Sequence, residues 1–556
     1  MNDADIIAST RQKGRIKRSK LGCRTCRSRR IKCDETPGAC KKCISTGRQC
    51  DGYDLRIVTH KPFYNTGTVI PRVTIPGILA ALNSEERRGF GFFQHCTVPA
   101  LAGFYDSVLW ERLSLQIGHA DSAVCHASIA LSAVHCAVQG SRSESSTTNA
   151  RAKAKAQIQS QLWQQFAFEQ LGRSFKQLQK RHTSQDPQFT VTVLVCCLLF
   201  VALEFTLEHY ENAFQHLCSG LQILENQQIR VARGLEPPLE PCLVETFTHL
   251  DIQAAFFDVQ GRPILSIDDT TLDHTYVTKH QQGGCWTIAG IRRAIEPLAG
   301  AVVWFCRRRV TTGYDQSAIS DQTRILERVL RFLQFLDSLS HRPGRTLTIK
   351  ERRCLKLLQL EAYGLKNALL TISLPTRHPR FHDFRDDFET VLFLATEIQC
   401  QGSSDLPPIC LDLGVVPQLY TIAKRAIDDR QRWQAVRLLQ SYPHQEGPWN
   451  AHLLARIAIE SIYLESLFAE KRAEDATGAV VVTGQSQSNG SLPGFGGFVT
   501  ISPDQRRARI SFRVQGVEKE CSFNLDDTCP GTVTAGTSRN GPQQGWHRVL
   551  PSHLQL

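Results

Sequence analysis

The chain has 556 residues, a formal net charge of +12, 42% hydrophobic residues and 20 cysteines. That length is room for about two to four domains, and the apolar fraction is ordinary for a globular protein, so most of the chain can bury a core. The N-terminal MNDADIIAST is polar and acidic with no apolar stretch behind it, so no secretory leader is expected, and the cysteines read as metal ligands or small buried hydrophobes rather than disulfides. The charge is concentrated. Residues 11–50 hold fourteen lysines and arginines against Asp34 and Glu35, which accounts for the whole excess. A basic segment of this density is the electrostatic footprint of a polyanion-binding surface.

In chain order, the first element is a basic arm, residues 1–20, in which Arg11, Lys13, Arg15, Lys17, Arg18 and Lys20 are expected to contact phosphate and to serve nuclear import. Six cysteines follow in the frame C-x2-C-x6-C-x6-C-x2-C-x6-C: Cys23, Cys26, Cys33, Cys40, Cys43 and Cys50. The frame is an internal repeat, CRTCRSRRIKC and CKKCISTGRQC. A unit this small needs a metal or disulfides to fold, and inside a cell the pattern favours metal. Zinc takes four ligands and thiolates suit it. Six sulfurs satisfy two zinc ions only if two of them are shared, which points to a binuclear cluster. The alternative is one zinc on four cysteines with two left free. Between its cysteines the first half carries Arg24, Arg27, Arg29, Arg30 and Lys32, and the second carries Lys41, Lys42 and Arg48. A short helix is expected over roughly Arg24 to Arg30, with the first half facing DNA and the second packed behind it.

Residues Gly22 to Asp51 resemble the fungal binuclear zinc-cluster transcription factors, through the cysteine spacing and the run Cys26-Arg-Ser-Arg-Arg-Ile-Lys-Cys-Asp34, with Pro37 in the loop between halves. The resemblance implies two Zn²⁺, with Cys23 and Cys40 bridging, Cys26 and Cys33 completing one site, and Cys43 and Cys50 the other. It also implies recognition of CGG-like triplets. Modules of this kind lay a helix in the major groove, where guanine N7 and O6 accept from Arg or Lys. Arg30 is the expected base reader. Arg24, Arg27, Arg29, Lys32, Lys41 and Lys42 are the other expected DNA contacts, chiefly to phosphate.

The zinc domain is placed at 21–53, and residues 54–84, broken by Pro62, Gly67, Pro71, Pro76 and Gly77, read as a linker without a sustained heptad pattern. From Ser84-Glu85-Glu86 onward the periodicity is helical, and 85–470 reads as one large all-α domain. Helical stretches are expected over Thr323–Leu339, Cys354–Leu370, Phe388–Ile398, Leu419–Leu439 and His452–Phe468. The apolar run Phe189–Phe205 reads as a core helix, because Thr190, Thr192 and Glu204 interrupt it. Glu86-Arg87-Arg88, Trp110, His126 through His135 and Leu250-Asp251-Ile252-Gln253 resemble the fungal-specific regulatory domain found after such clusters. The tail, 471–556, is Gly/Ser-rich at 484–498 and is expected to be mostly disordered, with weak alternation over Ala508–Phe523 that suits a hairpin.

No HExxH, GxSxG or P-loop pattern is present, and His126 and His135 fall on opposite sides of one helix, so no enzyme is expected. The function expected is a sequence-specific regulator of RNA polymerase II genes in the nucleus, for a nutrient pathway or a secondary-metabolite gene cluster. Its partners are double-stranded DNA at CG-rich promoter sites, the transcription machinery and no membrane. A second copy through the helical domain and a small-molecule effector are further candidates. The competing reading is a zinc-stapled interaction protein without sequence-specific DNA binding.

Overall fold

Two short helices, α1 (Arg24–Ser28) and α2 (Lys41–Ile44), form the cysteine module. The computed structural model describes residues 23–34, 40–50, 78–144, 150–181, 186, 188–256, 286–312, 316–340, 347–372, 374, 378–400, 409–441 and 444–478, and the segments 499–501, 507–514, 517–524, 534–537 and 547–548. The arm at 11–20, the linker up to residue 77 and the Gly/Ser-rich stretch at 484–498 lie outside the described residues.

The helical domain starts with α3 (Ile78–Ala81), whose Ile78 packs on the core, ahead of the expected start at residue 85. The cap of α4 (Ser84–Phe92) is Asn83 and not Ser84. Its side chain accepts from the Glu85 and Glu86 amides, and Glu86 accepts from the Asn83 amide, a reciprocal capping box. The chain then runs through a π turn at Phe93–Thr97 into α5 (Val98–Leu101), and later into α6 (Ser114–Ala120). Among the long helices, α8 (Ala150–Lys180) pairs with α7 (Ser122–Glu144), and α7, α10 (Tyr210–Ala232) and α11 (Pro241–Phe256) contact the central α9 (Phe189–Thr206). Thirteen of the 18 residues of α9 are buried, so it has no polar face to offer water. Ser122–Gln139 and Phe189–Thr206 are long and apolar enough to cross a membrane, but 78% and 72% of these windows lie buried inside the protein.

His126 and His135 sit on α7 with separate partners, His126 Nδ1 on Gln170 Oε1 at 2.7 Å and His135 Nδ1 at 3.0 Å from Thr97 Oγ1. Gln170 in turn donates to Glu86 at 3.2 Å, so this polar set ties α8 to α4 and α7. Where α10 crosses α11, Gly220 leaves space for Phe247, and a Cβ at 220 would run into that ring. Gly220→Ala should therefore destabilise the domain by about 1–3 kcal/mol despite better helix propensity. A thermal or urea melt checks this, and a melt unchanged from wild type would mean that the two helices part freely at this point.

The second half continues with α12 (Ile288–Thr312), α13 (Gln316–Ser340), α14 (Ile349–Thr371) and α15 (Arg385–Cys400). Asp387 at the start of α15 pairs with Lys366 of α14 at 2.8 Å. The single helix expected over Leu419–Leu439 is two, α16 (Val416–Arg425) and α17 (Asp429–Ser441). Ala426 turns extended, and Asp428 accepts from the Arg430 amide at 2.9 Å, so a local cap competes with helix continuation. The last helix is α18 (Ala451–Gly478).

A small sheet that the periodicity does not announce lies among these helices. Its strands are β1 (Ile409–Cys410), β2 (Gln445–Glu446) and β3 (Trp449–Asn450), with β1–β2 parallel and β2–β3 antiparallel. The fully buried Glu446 carboxylate accepts from the amides of Gly414, Val415 and Val416 at 2.9–3.0 Å and lies 2.6 Å from His444 Nε2. It caps α16 from outside the helix and fixes the loop that follows β1.

In the tail, β4 (Val499–Ile501), β5 (Arg507–Val514), β6 (Val517–Asn524), β7 (Thr534–Thr537) and β8 (His547–Arg548) pair in the order β7-β6-β5-β4-β8. The expected hairpin is β5–β6, with Ala508 opposite Phe523.

Candidate metal centre and nucleic-acid interface

The two halves of the cysteine repeat share a backbone design. In each, the amide of the second cysteine donates to the sulfur of the first, Cys26 to Cys23 and Cys43 to Cys40, both at 3.3 Å. Each short helix closes with the same long main-chain bond, Ile31 N–H to Cys26 O and Arg48 N–H to Cys43 O, both at 3.0 Å. The residue before that donor is left-handed in both halves, Arg30 at φ 55° and Gly47 at φ 63°. This is a helix C-terminal motif in which a left-handed residue lets the chain fold back on the last turn. Glycine adopts it freely, whereas an L side chain there costs about 1 kcal/mol.

The sulfurs converge. Cys23, Cys26, Cys40 and Cys43 are fully buried, with Sγ···Sγ separations of 3.7 Å for Cys23–Cys40, 3.7 Å for Cys23–Cys43, 3.5 Å for Cys26–Cys40 and 3.9 Å for Cys26–Cys43. Zinc–sulfur bonds of about 2.3 Å in a tetrahedron put neighbouring sulfurs about 3.8 Å apart, so the spacing fits thiolates gathered on zinc. The remaining two cysteines flank this set. Cys33 lies against Cys26 and accepts from the Cys23 amide at 3.4 Å, and Cys50 lies against Cys43 and Cys23. Burial pushes the Cys23, Cys26 and Cys40 thiols up, so the cage resists ionisation unless cations occupy it. Burial also works against Cys43, but the thiols of Cys40, Cys23 and Cys26 hydrogen-bond to it and bring it below the usual thiol range. The donor set fits two zinc ions held by six thiolates, a unit of net charge −2 that the surrounding lysines and arginines offset.

Side chains outside the cage lock the halves together. Asp34 accepts from the amides of Lys41 and Lys42 at 3.0 and 3.1 Å, placing an anion at the N-terminus of α2. Arg29 Nη1 donates to Thr46 Oγ1 at 3.1 Å, and Thr25 Oγ1 to Gln49 O at 3.3 Å. Composition alone reads Asp34 only as a negative charge. The signal that marks Asp34 is its place in the repeat, since Asp51 follows Cys50 as Asp34 follows Cys33.

Of the expected DNA contacts, Arg30, Lys32, Lys41 and Lys42 are exposed. Arg29 is half-buried and tied to Thr46. Arg24 and Arg27 lie on α1, their side chains outside the description, and the arm residues and Pro37 are outside it altogether.

Residues 21–58 match the fungal Zn(2)-Cys(6) binuclear cluster domain, and residues 90–363 match the fungal specific transcription factor domain. The aspercryptin biosynthesis cluster-specific transcription regulator atnN of Emericella nidulans is 28% identical over 277 residues, 44% of this chain and 42% of that protein. The transcription regulator lscL of Purpureocillium lilacinum is 27% identical over 209 residues, 37% of this chain and 48% of that protein. An uncharacterized transcriptional regulatory protein, C15D4.02, of Schizosaccharomyces pombe is 46% identical over 101 residues, 17% of each chain. The chain thus spans less than half the length of each of these relatives. No solved structure matches.

Proposed function

The chain belongs to the fungal Zn(2)-Cys(6) transcription factors, and from that premise we propose that it reads CGG-like triplets with the first half of its zinc cluster and controls one gene cluster of secondary metabolism. It is a transcription regulator and not an enzyme. The observation that carries the DNA reading is Arg30. It occupies, exposed, the left-handed position that Gly47 fills in the other half. An exposed arginine at a position where glycine is cheaper supports reading the side chain as placed there for its contacts.

In this reading Cys23 and Cys40 bridge the two zinc ions, and the zinc ions supply the folding energy of the module. Arg30 donates to guanine N7 and O6 in the major groove. Arg24, Arg27, Lys32, Lys41 and Lys42 neutralise phosphates, as do Arg11, Lys13, Arg15, Lys17, Arg18 and Lys20 of the arm, and Arg29 braces the first half against the second while reaching the backbone. The protein acts in the nucleus, and the helical domain sets output in response to an effector or a second copy.

Support for the pathway comes from the Emericella relative, a regulator specific to one biosynthesis cluster. Deleting the coding sequence and profiling transcripts tests it. Loss of transcripts from one contiguous set of biosynthetic genes is expected. Scattered changes in primary nutrient genes would contradict it.

A further inference from the structure

Helices α11, α12 and α14, with the loop before α6, enclose a cavity of about 540 Å³. Small-molecule sites commonly fall between about 300 and 1,000 Å³. The cavity is built on Arg292 of α12, which hydrogen-bonds Asp412 and lies over the Tyr105 ring, 4.4 Å from its centroid. Asp412 is held from behind, because Glu446 grips the amides of Gly414 to Val416 just beyond it. The site is therefore preformed by a buried network and not by loose side chains.

The wall charges do not cancel. Arg292 is matched by Asp412, Lys350 by Asp106 at 2.6 Å, and Arg293 by Glu245 at 3.8 Å. Glu351 accepts from the Thr348 amide in the cap of α14. Two groups are left over. Glu296 stands one helical turn from Arg292 on the cavity face and has no ion pair among the described residues. His249 is 8% exposed, and its Nε2 has no hydrogen-bond partner, with Asp412 3.8 Å away. Burial keeps the His249 ring neutral by pushing its pKa well below the usual value. Burial also pushes the Glu296 carboxyl up to about 7, with Arg292 drawing it back.

We propose that this cavity binds a small organic cation, an amine whose ammonium group pairs with Glu296 and whose polar body meets His249 Nε2. An anionic ligand would have to displace Asp412 or Asp106 from its partner, and a neutral one would supply no counter-charge, so that Glu296 tends to keep its proton and offers no charge to recognise. An ammonium group supplies the missing counter-charge without breaking any existing pair. The proposal deepens the reading of the helical domain as an effector sensor and rests on that reading.

The test uses the full, zinc-loaded chain and a panel of small primary amines, each matched with the alcohol and the carboxylic acid of the same skeleton. Binding is read by ligand-observed NMR and thermal shift, and binding to a CGG-containing duplex is measured on the same sample. Amines should bind in preference to their matched acids, and Glu296→Gln should weaken the amines by about tenfold or more, the loss of a desolvated charge pair. Far-ultraviolet circular dichroism and retained DNA binding show that the variant is folded. His249→Phe should also weaken them. The proposal is overturned if acids bind as well as amines, if amine affinity survives Glu296→Gln, or if no amine in the panel binds. Failure here with DNA binding intact removes the ligand and leaves the DNA-binding reading standing, whereas loss of sequence preference in the wild type would strike that reading instead.

Discussion

Glycine in place of Arg30 should leave both zinc ions bound, make the cluster slightly more stable, and remove most of the preference for a CGG-type site. The two halves of the repeat put a left-handed residue at the same place, closed by the same 3.0 Å main-chain bond. Gly47 takes that conformation at no steric cost, and Arg30 does not, so Arg30→Gly relieves about 1 kcal/mol of backbone strain. The same change removes a guanidinium that can donate twice to guanine, a contact worth about 1–3 kcal/mol of discrimination against the wrong base. Stability and DNA recognition therefore move in opposite directions, which a merely structural arginine would not produce. Zinc content, a thermal melt and titration with CGG and scrambled duplexes check the three effects together. Undiminished discrimination by the variant would place the base-reading group elsewhere on the cluster.

Cys40→Ala should be far more damaging than Cys26→Ala. Cys40 Sγ lies 3.7 Å from Cys23 and 3.5 Å from Cys26 and touches Cys43, and the reading proposed above makes it a sulfur shared by both zinc ions. Its loss opens both sites at once, and structural zinc in small modules supplies about 10–16 kcal/mol of apparent binding energy. The expected variant retains neither zinc ion after dialysis and binds no DNA. Cys26→Ala, which removes a ligand of one site only, should keep the zinc held by the second half of the repeat. Metal analysis with circular dichroism decides between them, and two variants that both keep two zinc ions and native DNA affinity would refute the bridging role.

Much of this was legible in the sequence because metal chemistry is written in spacing. The six cysteine positions, the basic segment and the burial of Phe189–Phe205 all follow from residue type and interval. What stayed hidden depends on contacts between distant segments. Nothing in the run Pro443 to Trp449 announces that Glu446 caps a helix thirty residues earlier, or that three two-residue strands form around it. Asn83 outcompetes Ser84 as a cap because Glu86 completes the reciprocal pair with it. The break at Ala426–Asp428 defeats periodicity because apolar residues continue at helical spacing on both sides of a locally capped turn. Arg30 was marked as a base reader by its position in the motif, but its left-handed backbone, which gives the assignment a physical test, is visible only in three dimensions. The cavity residues Glu296 and His249 carry no motif at all, since it takes the packing of α11 against α12 to set them on one wall.

The most direct measurement is selection of bound sites from random duplex DNA by the full chain, with zinc content determined on the same sample. The account predicts two zinc ions per chain, as the six-cysteine cluster requires, and an enriched CGG-type triplet. One triplet signifies a monomer on DNA, and two at fixed spacing signify a dimer. Two zinc ions with no enriched sequence would contradict the account and leave a zinc-stapled basic module that docks on another protein.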